Sequence, residues 1–173
     1  MTDIMDQLDT RLFRDCAGCF TTGVAIVTTC GPDGEPAGVT INSFSSVSLD
    51  PPLILFSLAR DLSVLPAFQA ARGFAVNILT VDQHELSVLF ARHGADRWSG
   101  RDYHVGQHGT PLLPDTLASF ECQPHAIYDG GDHLIFIGLV TALHQRADHQ
   151  PLLYYRGHYR RIMPQGEAIE ITG

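Results

Sequence analysis

Gly38-Val39-Thr40-Ile41-Asn42-Ser43-Phe44-Ser45-Ser46-Val47-Ser48-Leu49-Asp50-Pro51-Pro52 is the stretch on which the reading of this chain turns. It opens as a short β-branched run, passes into small hydroxyl side chains, and ends at prolines that cannot continue a ladder. Working back from it, Gly31-Pro32-Asp33-Gly34 is a dense turn signal, and Val24 to Thr29 is a second β-branched run. The two runs predict a hairpin. Working forward, Leu53 to Leu58 reads as the next strand. The segment from Thr40 to Ser46 therefore emerges from a sheet carrying hydroxyls and an amide. Such a set suits a flat ring edged with heteroatoms. Composition alone favours a plainer reading, a polar strand end that makes local turns.

The same alternation of strands and breakers continues outward. Ile4, Leu8, Leu12, Phe13 and Cys16 stand at helical spacing and predict an N-terminal helix over residues 4–20. Ser63 to Ala71 reads as a helix with Ser63 as N-cap, Pro66 in its first turn and Gly73 close to its stop. Phe74 to Leu79 is a further strand. Asp82 with Glu85 resembles a capping box opening a helix that turns Leu86, Leu89 and Phe90 inward. Residues 92–116 predict a long irregular connection rich in Gly and His, and such loops are usually functional or covering. Ser119 to Tyr128 and His133 to Leu143 flank the turn Asp129-Gly130-Gly131-Asp132. Leu152 to Arg156 and Tyr159 to Ile162 complete the β pattern. About six strands and two or three helices predict a mainly β protein, a closed or split barrel with helical caps.

At 173 residues the chain is read as a single domain spanning 1–173, with its core over about 10–162. Apolar residues at 45% and charged residues at 17% describe an ordinary globular protein. Lys plus Arg number 11 against 19 Asp plus Glu, a net charge of −8. That balance argues against nucleic acid or an anionic membrane as partner, though it leaves room for a local phosphate pocket. The acidic start, Met1 to Asp6, has no apolar run behind it, and no stretch has the length of a membrane span, so a cytoplasmic location is expected.

Most familiar chemistries are missing. There is no Gly-x-Gly-x-x-Gly, no phosphate loop of the Walker type and no Gly-x-Ser-x-Gly elbow. Cys16-Ala-Gly-Cys19 has the C-x-x-C form, but no second ligand pair exists for zinc, and no strand-then-helix frame exists for a thioredoxin-like role. Cys16, Cys19, Cys30 and Cys122 are expected to be ordinary buried or half-buried thiols. Of the 9 histidines, His104 and His108 are four apart but lie in a loop without a carboxylate pattern, so no metal is expected. Ser57-Leu58-Ala59-Arg60-Asp61-Leu62-Ser63 combines hydroxyls, one Arg and a helix start, a phosphate cradle or simply a capped helix with a surface Arg.

Taken in order, these segments resemble the flavin reductase-like family, the reductase components of two-component flavin monooxygenases. The resemblance rests first on Gly38 to Pro52. It continues through Ser57-Leu58-Ala59-Arg60-Asp61, Phe74-Ala75-Val76-Asn77, Phe90-Ala91-Arg92 and Asp96-Arg97-Trp98-Ser99-Gly100. It ends with Tyr128-Asp129-Gly130-Gly131-Asp132-His133 through Gly138, and Pro151-Leu152-Leu153-Tyr154-Tyr155-Arg156-Gly157. It implies a homodimeric split β-barrel that binds FMN or FAD and passes it a hydride from NADH or NADPH. Reduced flavin would then reach a partner monooxygenase. By the same resemblance, Thr40, Asn42, Ser43, Phe44, Ser45 and Ser46 would line the flavin ring and ribityl chain, and Ser57, Arg60 and Ser63 would hold phosphate. Asn77, the Phe90-Arg92 segment and Tyr155 would border the cofactor. Asp132 and His133 would face the nicotinamide, with His133 the residue nearest to catalysis. Other readings of the same residues are a flavoprotein reducing a ferric chelate or a corrinoid, and a non-catalytic flavin-binding module. Leu62 and Trp98 depart from the family's usual Ser and Phe, and no family role transfers to Cys16 or Cys19.

Overall fold

A computed structural model describes residues 8–163. Within them β2 (Ala25–Cys30), β3 (Pro36–Ile41), β4 (Ser45–Leu49), β5 (Pro52–Ala59), β6 (Phe74–Ile78), β9 (Ala118–Gly130) and β10 (His133–Gln145) form one antiparallel sheet. Its order is β3-β2-β6-β9-β10-β5-β4. The hairpin predicted around Gly31 to Gly34 is β2 with β3, where Ile26 faces Thr40 and Val27 faces Val39. The hydroxyl-rich segment runs from the end of β3 into edge strand β4, which begins at Ser45 and meets β5 through the turn at Asp50-Pro51.

Alternation along these strands builds the core. Ile54, Phe56 and Leu58 of β5 point inward while their neighbours do not. They pack with Phe74 and Val76 of β6, Leu134 and Phe136 of β10, and Val39 and Ile41 of β3. Residues from the two ends of the strand order thus share one core, so the sheet curls on itself. Phe56 and Phe136 stack with centroids 5.3 Å apart, and Phe74 meets Phe56 edge-on at 5.1 Å. At Gly138 a Cβ would come within 2.6 Å of the Phe74 ring, which is why this position of β10 carries no side chain.

The small β1 (Thr22–Gly23), β11 (Leu153–Tyr155) and β12 (His158–Arg160) form a second sheet, and β7 (His104–Val105) and β8 (Pro111–Leu112) a third. The helices are α1 (Thr10–Ala17), α2 (Leu65–Gln69) and α3 (His84–Ala91). They correct the sequence reading at their starts. α1 begins at Thr10, capped by Asp9, whose carboxylate accepts from the Arg11 and Leu12 N–H groups; the expected Ile4 lies outside the described residues. Ser63 does not cap α2; Val64 holds that position without a side-chain bond, because the chain spends residues 60–64 on turns. The capping box belongs to Thr80 and Gln83, not to Asp82 and Glu85, and it opens the 3-10 turn that leads into α3. Phe90 is fully buried, as its helical position requires. No described helix is long and apolar enough to cross a membrane.

Candidate functional site

The expected site residues separate into three places. One is a groove. Its walls are α1, the turn after it, the end of β3 and the β11–β12 hairpin, and its volume is about 760 Å³. Asn42, exposed at the end of β3, lines it together with Phe13, Arg14, Phe20, Tyr154 and Arg156. A smaller recess of about 210 Å³ shares Asn42 and Tyr154 and extends to Thr40, Ala91 at the end of α3, and Tyr159. Thr40 is half-buried, and its hydroxyl donates to the Ser87 carbonyl at 2.7 Å, which ties β3 to α3. Arg92 follows Ala91 at the helix end, exposed, with its carbonyl accepting from Arg97. Tyr155 is half-buried, and the Arg156 guanidinium lies 5.3 Å from its ring centre.

The second place is a polar corner where β5 ends beside the β9–β10 turn. His133 pairs with Ala59 across the ladder. Next to Ala59, Arg60 donates from Nε to the Gly131 carbonyl at 2.7 Å and from Nη2 to Asp129 Oδ2 at 2.6 Å. Its backbone N–H donates to the Asp132 carbonyl at 2.9 Å. Asp129 Oδ1 accepts the Gly131 N–H, and His133 Nδ1 lies 2.7 Å from Asp132 Oδ1. The Gly131 N–H and then the Arg60 charge hold the Asp129 carboxyl below the usual carboxylate range. The bond to His133 does the same for Asp132. Gly131, first of the two turn residues, takes φ 78°, which glycine adopts without strain.

Groove and corner are joined twice. Arg14, on the groove wall, is close enough to Asp132 to help keep its carboxyl low. Ser43, next to Asn42, plugs the backbone of Ser57: its hydroxyl accepts from the Ser57 N–H at 2.9 Å and donates to the Ser57 carbonyl at 3.1 Å. Ser43 thus holds β5 with its one hydroxyl, whereas Ser45 and Ser46 stand exposed on edge strand β4. Phe44 turns inward onto Phe120, ring centres 5.2 Å apart. Ser63 is exposed in the turn before α2.

The third place is the core, and there the sequence reading is corrected. Asn77 is fully buried. Its amide nitrogen donates to the Ile26 carbonyl and Thr28 Oγ1, and its Oδ1 accepts from the Leu113 N–H and the Ser119 hydroxyl. Phe90 is equally buried and meets Trp98 edge-on at 5.1 Å. Neither side chain reaches the groove. Cys16 and Cys19, expected to be at least half-buried, are exposed. Arg14, Asp129, Tyr154 and Arg156 belong to the surface but had no role in the sequence reading. The last three stood inside quoted motifs, while Arg14 had no local signal, because only folding brings α1 beside the turn.

The donor set fits a flavin nucleotide. Phe13, Phe20 and Tyr154 offer ring faces, Asn42 can donate and accept, and Arg14, Arg60 and Arg156 supply charge for phosphate. Among the described residues no cluster of metal-ligating side chains occurs.

Residues 17–163 match the flavin reductase like domain. An FMN reductase (NADH) of Agrobacterium fabrum is 45% identical over 158 residues, 91% of this chain and 88% of that protein. The reductase subunit of a flavin-dependent monooxygenase from Rhodococcus jostii is 36% identical, covering 92% and 81% of the two chains. An NADH:FAD oxidoreductase of Streptomyces globisporus, solved with NAD and FAD fragments, superposes with a TM-score of 0.85 at 36% identity, over 96% of this chain and 99% of that one. A match across most of the described residues leaves one assignment: the chain belongs to the flavin reductase like domain family.

Proposed function

We propose that this protein is an NAD(P)H-dependent flavin reductase, moving a hydride from the nicotinamide to FMN or FAD along the groove and corner. The observation that carries the reading is spatial. Arg60 and His133, from separate stretches of chain, meet at one corner, while Asn42 lines the groove with Arg14, whose charge reaches Asp132, and its neighbour Ser43 is bonded to Ser57 of β5. When bound, the flavin supplies the hydride-accepting chemistry; the protein's part is positioning. Asn42 would meet the polar edge of the ring, and the aromatic walls of the groove, Phe13, Phe20 and Tyr154, would exclude water from it. Arg60 holds phosphate, and it comes to that task already oriented by Asp129 and the Gly131 carbonyl. Asp132 fixes the His133 ring through Nδ1, leaving Nε2 as the nitrogen available to an incoming nucleotide.

Mixing the protein with NADH or NADPH and FMN or FAD, without oxygen, tests this directly. Consumption of nucleotide should equal flavin reduced. Flavin binding without nucleotide loss would make the chain a binding module, and a strong preference for a ferric chelate or corrinoid would make it a reductase of another kind.

Two further parts of the reading concern partners. Edge strand β4 exposes Val47 and Leu49, and β9, separated from it in the sheet by β5 and β10, exposes Ile127 and Tyr128. An open apolar edge of this sort is covered in a homodimeric split barrel. Light scattering at micromolar concentration should return a dimer, and a monomer would refute it. A flavin-dependent monooxygenase as acceptor of the reduced flavin is supported by the named role of the Rhodococcus relative.

A further inference from the structure

We propose that Cys16 and Cys19 are a peroxide-sensitive dithiol that closes into a disulfide on the wall of the groove. The oxidant's source rests on the flavin reductase reading, since reduced flavin that meets dioxygen yields hydrogen peroxide at this surface.

The four thiols of the described chain are not alike. Cys122 is fully buried, and burial followed by the Glu121 charge pushes its thiol up to about 12. Cys30 is half-buried, its sulfur bonded to the Gly109 carbonyl, and burial raises it too. Cys16 and Cys19 are exposed, and both line the groove. The backbone brings them together: the Cys19 N–H donates to the Cys16 carbonyl at 3.1 Å, closing a turn after α1. A turn of this kind holds its end Cα atoms within about 7 Å, the span a disulfide needs.

A cation faces one of the sulfurs. Arg156 Nη2 lies 3.6 Å from Cys19 Sγ, and Arg156 makes no ion pair with a carboxylate among the described residues. Its backbone is held there at φ 48°, and its N–H donates to the Gly18 carbonyl at 2.9 Å. Arg156 thus places a positive charge beside the sulfur that would attack peroxide.

The chemistry balances. The Cys19 thiolate attacks one peroxide oxygen, the O–O bond breaks, and hydroxide leaves to become water, giving a sulfenic acid. The Cys16 sulfur attacks that sulfur, its proton goes to the departing oxygen, and the second water leaves. Two thiols are oxidised by two electrons and one peroxide is reduced to water. Oxidation takes Cys19 from its bond to the Asp15 carbonyl and from Arg156, so the hairpin that carries Tyr154 loses a tether.

The test uses the full chain and hydrogen peroxide. Under native conditions, peroxide should remove two reactive thiols, and peptide mapping after alkylation should show Cys16 joined to Cys19, with Cys30 and Cys122 still alkylatable after unfolding. Reductase activity should fall several-fold and return with dithiothreitol, while Cys19→Ser resists the loss relative to its own untreated rate. A native protein whose Cys16 and Cys19 do not react with a thiol reagent, or a peptide map without the 16–19 link, would overturn the proposal. So would a C16S/C19S double variant that loses activity as the wild type does. The thiol readouts need no flavin chemistry, so failure of the proposed function would leave them intact and separately interpretable.

Discussion

Two polar networks in this protein use similar groups to opposite ends. Around Asn77 an amide, the hydroxyls of Thr28 and Ser119 and two backbone groups close on one another with no solvent contact. At the corner, Arg60, Asp129, Asp132 and His133 bond to each other just as densely but remain half-open to water. The first network has no capacity left for a ligand. Every donor and acceptor of the Asn77 side chain is used to join β2, β6, β9 and the segment before β9. The second has spare capacity: Arg60 retains an Nη group and His133 a ring nitrogen. Burial, not residue type, separates the groups that hold the fold from those that can meet a substrate.

That contrast is easiest to break at Asn77. Asn77→Ala leaves the buried Leu113 N–H and the Ser119 hydroxyl without the Oδ1 that accepts from them. It should cost about 2–4 kcal/mol of stability, read from the denaturant midpoint, because each unsatisfied buried group costs about 1–3 kcal/mol. Flavin affinity of the molecules that remain folded should hardly change. A variant of normal stability with weakened flavin binding would return Asn77 to the site.

The corner should respond the other way. Arg60→Ala should weaken FMN by about 1.5–3 kcal/mol, the range for a hydrogen bond to a charged group, with riboflavin almost unaffected because it lacks the phosphate. The melting temperature should barely move, since an exposed ion pair contributes little to stability. Equal losses for both flavins would show that Arg60 shapes the turn instead of holding phosphate. The smallest effect is expected at His133. His133→Ala should raise the KM for NADH by about tenfold while leaving flavin affinity and Tm near their original values. Early melting with normal flavin reduction at low temperature would make His133 a hairpin residue and no more.

Much of this architecture was legible along the chain. The β2–β3 hairpin, the β9–β10 hairpin and the inward face of α3 follow from periodicity and from turn residues, which act over a few positions. The helix starts were misplaced by a few residues because several side chains near each start can cap, and only the packed backbone selects among them; Thr80 with Gln83 prevailed over Asp82 with Glu85. The candidate site was legible as a set of segments, through motif order, but not as a set of side chains. Ser43 and Thr40 were expected to meet a ligand and instead spend their hydroxyls on Ser57 and Ser87.

By itself the sequence determined a mainly β chain of acidic charge, its turns, its strand alternation and the family to which its motifs belong. Those properties depend on residues near one another in the chain. The tertiary structure alone decided that Asn77 and Phe90 are core, that Arg60 is clasped by Asp129 across a gap of 69 residues, and that Arg156 faces Cys19 across 137. These outcomes depend on which surfaces the curled sheet closes and which it leaves open. That is a property of long-range packing, where one register places every side chain inward or outward at once.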